Sequence, residues 1–374
     1  MKTSIFLISL LFCTPVFAQK KIIQKLISNE HDTARNSSFL PLPTFGYSQE
    51  RGAEFGIGAI YSYYMDRNDT LNRSSNFILN ASYSTKGIYN LNLKGDLWTK
   101  NNDHHILGDL RFKEIPFNFY GIGNNTLETN ADKLVQSFFR GTAEVEKRIS
   151  PNLYTGVSIG VEKYSFKDEV VGGIFDLNNY TSKNGGSVGF FGVSQSFDTR
   201  NSNNYPTKGF YGRISVQYLP NIDSKLNYNG VITKVNLRNF STITNKLVLG
   251  IQGYFNHVGG KNTPFFLLPQ LGNDELMRGY YTGRYRDKNL AAFQAELRYR
   301  YNSRFGFVAF AGAGNVYGVD KLKLSNLKPN YGGGLRYFFD PEKGLSIRVD
   351  YGIGEKLPNE KRQSGLYISL AEAF

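Results

Sequence analysis

The chain has 374 residues, with 25 Tyr, 29 Phe, 39 Gly, a single Cys and a formal net charge of +13. This composition excludes a disulfide-rich domain, a disordered chain and a collagen-like fibre. The mean hydropathy of −0.37 argues against membrane-spanning helices, although 15% of the residues are aromatic. A transmembrane β-barrel reconciles these facts, because alternate residues of each strand face lipid while the others face a polar lumen.

Residues 1–18 have the pattern of a secretory signal peptide, with a charged start, an apolar stretch over 5–12 and a small-residue cleavage site before Gln19. Cleavage there removes Cys13. Residues 19–40 are polar and predict a short periplasmic segment with no domain of its own. The positive net charge is compatible with contact to acidic lipid head groups or with a pore that favours anions. Nucleic acid is not expected as a partner of an exported chain.

Residues 41–374 repeat one unit, in which about ten alternating apolar and polar residues precede a Gly, Asn, Asp or Pro cluster. We count roughly sixteen units. They start near 43, 53, 75, 87, 103, 135, 153, 184, 209, 227, 246, 288, 304, 329, 343 and 365. Since lipid cannot hydrogen-bond exposed backbone, such a sheet must close, and single-chain barrels close with even strand numbers. The sequence therefore predicts one all-β domain, a sixteen-stranded antiparallel transmembrane β-barrel. Several soluble β-sandwich domains are the alternative, which the continuous alternation opposes.

The predicted connections alternate in length. Short ones fall at 101–103, 150–152, 302–303 and 340–343, and long ones at 115–134, 166–183 and 259–287. This asymmetry is typical of short periplasmic turns and long external loops.

The connection before predicted strand 12 contains Leu276, Met277, Arg278, Gly279 and Tyr280. This stretch resembles the (V/L)RG(F/Y) motif of the BamA/TamA-type outer-membrane assembly barrels, the bacterial surface antigen family. A predicted periplasmic turn resembles the D-T-R…P-T-(R/K)-G motif, with Asp198, Arg200, Pro206 and Gly209 at its marked positions. Residues 295–298 and 344–351 resemble strands 12 and 15. Phe374, with alternating Leu366, Ile368 and Leu370, is similar to the carboxy-terminal assembly signal, so we expect Phe374 in the interfacial aromatic girdle.

Two departures from the family pattern bear on function. Family members that insert proteins carry periplasmic POTRA domains, and residues 19–40 are too short for one, which puts client capture in doubt. Where the family often reads F-V-D-x-G-N-V, residues 310–316 carry Gly312 at the acidic position. The loop arginine must then find another partner.

Inward parity places four glycines on the lumen face of two adjacent predicted strands, namely Gly312, Gly314, Gly332 and Gly334. A loop folded into the barrel could approach this strip closely. We expect Arg278 to lie over it and to pair with Glu296 or, as second choice, Asp350, because a desolvated guanidinium needs a carboxylate. The alternative is that the inward charges form only a solvated lining and that the glycines allow barrel curvature.

No histidine has a partner at metal-ligand spacing, and no catalytic constellation or phosphate-binding loop occurs in the sequence. We therefore expect no enzymatic activity, cofactor or metal. The resemblance implies an outer-membrane barrel that assembles or translocates proteins through a lateral gate between its first and last strands. A gated or passive anion-favouring pore, and a structural barrel that serves a separate periplasmic partner, remain alternatives. Expected partners are outer-membrane lipid and lipopolysaccharide, with unfolded outer-membrane or exported proteins as clients.

Overall fold

The computed structural model describes residues 35–48, 52–318 and 322–374. The predicted signal peptide and most of the predicted periplasmic segment lie outside the described residues. No helix of the described part has the length and apolar character to cross a membrane.

Within these described ranges sixteen strands follow one another. Their bounds are β1 Ser38–Ser48, β2 Gly52–Tyr64, β3 Ser74–Ser84, β4 Tyr89–Trp98, β5 His104–Phe119, β6 Asp132–Ser150, β7 Leu153–Asp168, β8 Gly185–Asp198, β9 Gly209–Leu219, β10 Asn229–Thr244, β11 Leu247–Lys261, β12 Asn289–Arg300, β13 Phe305–Tyr317, β14 Lys328–Asp340, β15 Leu345–Ile353 and β16 Ser364–Leu370. One short helix, α1 (Ile174–Leu177), lies between β7 and β8. Each strand pairs antiparallel with the next in a single sheet of order β1 to β16.

The sheet is rolled into a barrel with an apolar outer face. In β2, Phe55 and Ile57 point outward and are 56% and 69% exposed, whereas Glu54, Ile60 and Ser62 point inward and are buried. The same alternation runs through the other strands. This alternation is typical of a membrane barrel, in which outward side chains contact lipid and inward side chains contact water or one another.

The predicted strand starts lie within three residues of the observed ones for β2 to β16. Three details differ. β1 begins at Ser38, so the predicted domain boundary at residue 40 falls inside it, because Ser38 already pairs with Ser62 of β2. The long connections are shorter than predicted, since hairpins such as β5–β6 continue to the pair Phe119 and Asp132. Finally, not every connection at the end of the predicted short turns is short, since 65–73 and 199–208 have nine and ten residues.

An even number of strands brings both chain termini to one end of the barrel. We call this the terminal end, and the opposite end the loop end. Connections from even to odd strands lie at the terminal end, and the sixth connection at the loop end is residues 262–288, here called loop 6. An aromatic core fills the loop end, where Phe119, Phe175, Phe265 and Phe266 are buried together.

Candidate functional site

Loop 6 folds into the barrel rather than away from it. Its turn is fixed locally, because the side-chain oxygen of Asn273 accepts the backbone N–H groups of Glu275 and Leu276 at 2.7 and 2.6 Å. The following residues Met277 and Tyr280 are fully buried. The loop end thus presents the R-G-Y motif to the lumen.

Gly279 lets the loop backbone touch the barrel wall. It has a φ of 107°, and a Cβ atom there would lie 2.7 Å from the backbone nitrogen of Ile353. On the opposing strand β15, a Cβ at Gly352 would meet the Arg278 carbonyl carbon at 2.5 Å. Both contacts require glycine. Gly352 was not identified from the sequence, although it lies two residues after the inward-facing Asp350 and therefore faces inward too.

Arg278 lies between both of the acids proposed for it. Its side chain is 0% exposed, its Nη1 donates to Oδ2 of Asp350 at 2.7 Å, and its Nη2 bonds to Oε1 of Glu296. The guanidinium carbon lies 3.6 Å above the ring centre of Phe310. The sequence suggested one acid or the other, whereas the structure places both on the same guanidinium.

The pair is part of a larger group, which we call the arginine cluster. Its bases are Arg278, Arg298, Arg336 and Arg348, and its acids are Asp274, Glu296, Asp350 and Glu372. All of these side chains are buried except Asp274, which is 34% exposed, and each buried charge has a partner of opposite sign. Arg336, Asp274 and Glu372 were missed from the sequence, yet Arg336 stands directly opposite Arg348 in the β14–β15 ladder. Two opposed inward arginines would have indicated nearby acids.

The glycine strip is not the open wall that the sequence suggested. The Phe310 ring lies where a Cβ of Gly332 would be, the Asp350 carboxylate lies against Gly334, and Asn330 lies against Gly312. Of the four, only Gly314 faces loop 6, where an added Cβ would lie 3.0 Å from Leu271 Cδ1. Arg278 therefore rests on Phe310, and an aromatic ring fills the hollow left by the glycines.

The first and last strands form a seam. They are neighbours in the barrel, and a Cβ at Gly46 would lie 3.9 Å from the carbonyl oxygen of Ile368, but no backbone ladder joins β1 to β16 within the described chain. Apolar contact takes its place, as Leu40 and Ile60 pack near Leu345 with Leu370 alongside. The outward side chains Leu366, Ile368 and Leu370 are each only partly exposed.

The expected position of Phe374 in the outer aromatic girdle is wrong. β16 ends at Leu370, Ala371 has a φ of 64°, and the chain turns into the lumen. Phe374 is 4% exposed and its ring centre lies 6.1 Å from that of Phe240 in β10. The apolar side chain is removed from water by the interior instead of by lipid. We call residues 371–374 the C-terminal tail.

The turn that resembles the D-T-R…P-T-K-G motif crosses the terminal end. We call residues 199–208 the mouth turn. Asp198 accepts Nε and Nη2 of Arg200 at 2.9 and 2.8 Å and also bonds Arg73. Gly209 has a φ of 106°, and Pro206 is buried.

The tip of the mouth turn touches two distant parts of the barrel wall. Asn203 donates to the carbonyl of Ser74 in β3 at 3.1 Å, and Asn204 donates to the carbonyl of Lys343, before β15, at 2.8 Å. The Tyr205 ring packs on Phe338 at 5.0 Å. Because β3, β8 and β15 are spread around the barrel, a turn that reaches all three must cross the middle of the opening.

Loops also cross the opposite end. Asn124, between β5 and β6, donates to the carbonyl of Asn326, between β13 and β14, at 3.0 Å. Glu360 accepts the N–H of Glu128 at 2.8 Å and bonds the loop 6 residue Arg284. These contacts join loops from opposite sides of the barrel.

Glu360 makes the loop-end contacts sensitive to acid. Its burial favours the neutral carboxyl, but the N–H of Glu128 and the guanidinium of Arg284 outweigh this effect and hold the pKa of Glu360 below its ordinary value. The contribution to folding is therefore complete above the unfolded pKa of about 4.3 and is lost as the pH falls through the lower folded value. We expect faster hydrogen exchange in loop 6 at pH 3 than at pH 5, after correction for intrinsic rates. In Glu360→Gln this additional acid step should be absent, and an unchanged step would contradict the assignment.

Between the two closed ends lies a polar chamber with a volume of about 430 Å³. Its wall carries four acids and three bases, namely Asp96, Asp109, Glu144, Glu162, Lys94, Arg140 and Lys234. Two of these acids also pair with further arginines, Asp109 with Arg111 and Glu144 with Arg213, so charges of both signs are closely interspersed there. The expected preference for anions stays a prediction.

The described residues thus form a membrane β-barrel of a distinct class. In this class a long loop with an R-G-Y motif docks inside the lumen, close to the strand that ends the sheet. Residues 49–374 match the Omp85 superfamily domain, and the chain belongs to this superfamily. No curated protein matches its sequence.

Solved structures share the fold at low sequence identity. BamA from Haemophilus ducreyi lacking POTRA domains 1–3 is 13% identical with a TM-score of 0.55, covering 90% of this chain and 70% of that one. CdiB from Escherichia coli is 10% identical with a TM-score of 0.57, covering 94% and 69%. CdiB from Acinetobacter baumannii is 10% identical with a TM-score of 0.54, covering 94% and 67%. The family and the barrel fold expected from the sequence are thereby confirmed.

Proposed function

We propose that this barrel assembles or translocates proteins at the outer membrane of a diderm bacterium, admitting a client strand at the seam between β1 and β16. The observation that carries the proposal is the unpaired seam. Among the described residues β1 and β16 share no ladder, and strand edges of this kind can accept an extended segment by β-augmentation. The expected clients are unfolded outer-membrane or exported proteins, and the surroundings are outer-membrane lipid and lipopolysaccharide.

The closed ends support a lateral route over an axial one. The mouth turn crosses the terminal end, and loop 6 with the neighbouring loops crosses the loop end. A passive pore requires a continuous aqueous path. The proposed role is one of transport, without a catalytic residue, cofactor or metal, and a separate periplasmic partner is compatible with it.

The test crosslinks the seam. Cysteines at Phe45→Cys and Ile368→Cys, two outward positions next to the contact between Gly46 and Ile368, are joined by a short bismaleimide in the purified protein, with Cys13→Ser in any unprocessed chain. The client is an eight-stranded outer-membrane barrel unfolded in urea and diluted into vesicles that contain the protein. We expect the uncrosslinked protein to accelerate client folding and the crosslinked protein to return the rate to that of empty vesicles, because the strand edges can no longer separate.

The matched control places the same crosslink in a paired ladder, at Ala59→Cys and Leu79→Cys, which face each other in β2 and β3. This control should retain the acceleration. Absence of any acceleration, or acceleration that survives the seam crosslink, would contradict the proposal. Steady conductance in planar bilayers would favour the pore instead.

A further inference from the structure

Two chains of polar contacts run from Arg278 to the C-terminal tail. In the first, Glu296 bonds Arg278 through Oε1 and accepts Nε of Arg298 through Oε2 at 2.9 Å. Arg298 then donates from Nη2 to the main-chain oxygen of Phe374 at 2.7 Å. One arginine thus holds both an acid of the loop 6 site and the end of the tail.

The second chain has the same form. Asp350 accepts Arg278 at 2.7 Å through Oδ2 and Arg336 at 2.6 Å through Oδ1. Arg336 also donates from Nε to Glu372 in the tail at 2.7 Å. All these side chains are at most 2% exposed, so water does not screen the contacts.

Loop 6 also touches β16 directly. The backbone N–H of Gly279 donates to the Tyr367 hydroxyl at 3.0 Å, and Ser369 donates to Asp274 at 2.7 Å. Within the described chain, β16 has a ladder on one edge only, with β15. The contacts made from inside the lumen therefore contribute strongly to holding the last strand and its tail.

We propose that Arg298 and Arg336 are positioning residues that couple loop 6 to the C-terminal tail, so that withdrawal of Arg278 releases the tail next to the seam. The reason is that Arg278 and the two positioning arginines donate hydrogen bonds to the same two carboxylates. Nη1 of Arg298 has no hydrogen-bond partner in the part of the chain that the structure describes. When Arg278 leaves, Oε1 of Glu296 becomes free to accept it, and a forked Arg298–Glu296 pair turns the guanidinium away from Phe374.

Arg336 can exchange its hydrogen-bond partners in the same way. Its Nη2 lies 3.5 Å from Oδ2 of Asp350, at the limit of a hydrogen bond, while Arg278 and Arg348 already donate to that oxygen at 2.7 and 3.0 Å. Removal of Arg278 leaves only Arg348 on this oxygen, so Asp350 can accept both nitrogens of Arg336, which weakens the contact of Arg336 with Glu372. That the released tail opens a gate rests on the function proposed above, but the coupling itself does not.

The experiment measures exposure of the tail directly. Ala373, which is 4% exposed, is replaced by cysteine in the full chain, and its reaction with a water-soluble maleimide is timed in vesicles without any client. We expect slow labelling in this parent. Arg278→Ala should accelerate labelling about tenfold or more, since it removes the competitor in loop 6, and Arg298→Gln and Arg336→Gln should do the same. Arg213→Gln is the matched control, because Arg213 pairs with Glu144 and Glu146 outside the arginine cluster.

A second substitution separates coupling from simple loss of structure. Adding Glu296→Gln to Arg278→Ala should slow labelling again, because a neutral amide no longer draws Arg298 away from Phe374. General loosening would instead make the double variant label faster. Equal labelling of Arg278→Ala and its parent, or faster labelling in the double variant, would overturn the coupling. Coupling without any effect of the seam crosslink on client folding would instead reject the proposed function alone.

Discussion

Arg278→Ala should lower the free energy of unfolding of the barrel by about 3 kcal/mol, near the lower end of the range of about 3 to 5 kcal/mol for breaking a buried ion pair. The lower end is expected because Glu296 keeps Arg298, and Asp350 keeps Arg336 and Arg348. Loop 6 nevertheless loses its anchor in the lumen. Trypsin should then cut at Arg284 or Arg286, which are buried in the intact protein.

The measurement is urea unfolding in vesicles, with a double-mutant cycle for each acid. Cycles of Arg278→Ala with Glu296→Gln and with Asp350→Asn should each show coupling, since one guanidinium contacts both acids. Arg278→Lys should also be defective, because one ammonium cannot reproduce the fork. The exposed Arg67 serves as control, and Arg67→Ala should change stability by less than about 0.5 kcal/mol. If both cycles are additive within about 0.3 kcal/mol and loop 6 stays protected, the cluster does not anchor the loop.

The number and the positions of the strands could be predicted from the sequence because each depends on a local signal. Period-two alternation and turn residues recur in every unit, and closure in lipid requires an even count. The acids near Arg278 could also be proposed, since inward parity and strand order place Glu296 and Asp350 close to the docked loop. These inferences need only the neighbours of one strand.

Contacts across the lumen could not be predicted in the same way. Phe374 has the alternation of a lipid-facing strand end, but Phe240 and Arg298 offer it a place inside the barrel. Phe310 similarly occupies the glycine strip that appeared open. In both cases the partner comes from another strand, and the pattern along one strand contains no information about it.

Shortening the mouth turn should open the terminal end, yet it should raise the conductance of the purified barrel only slightly. Asn201 and Lys208 already pair through a backbone hydrogen bond of 3.2 Å. Replacing residues 202–207 by Asn-Gly would therefore close a two-residue hairpin without disturbing β8 or β9. The variant loses the contacts of Asn203 and Asn204 with the far walls. Loop 6 still crosses the other end, and two obstructions in series conduct no better than the tighter one.

Combining the short turn with Arg278→Ala opens the terminal end and releases the anchor of loop 6 at the other end, and we expect conductance about tenfold above that of either single variant. A variant with Asn203→Ala and Asn204→Ala keeps the turn length and tests whether the polar contacts alone hold it in place. Two independent leaks would give additive conductances, whereas obstructions in series require a value far above the sum. A single shortened turn that already conducts steadily would mean that loop 6 does not close the barrel, and the case for a lateral route would then depend on the seam alone.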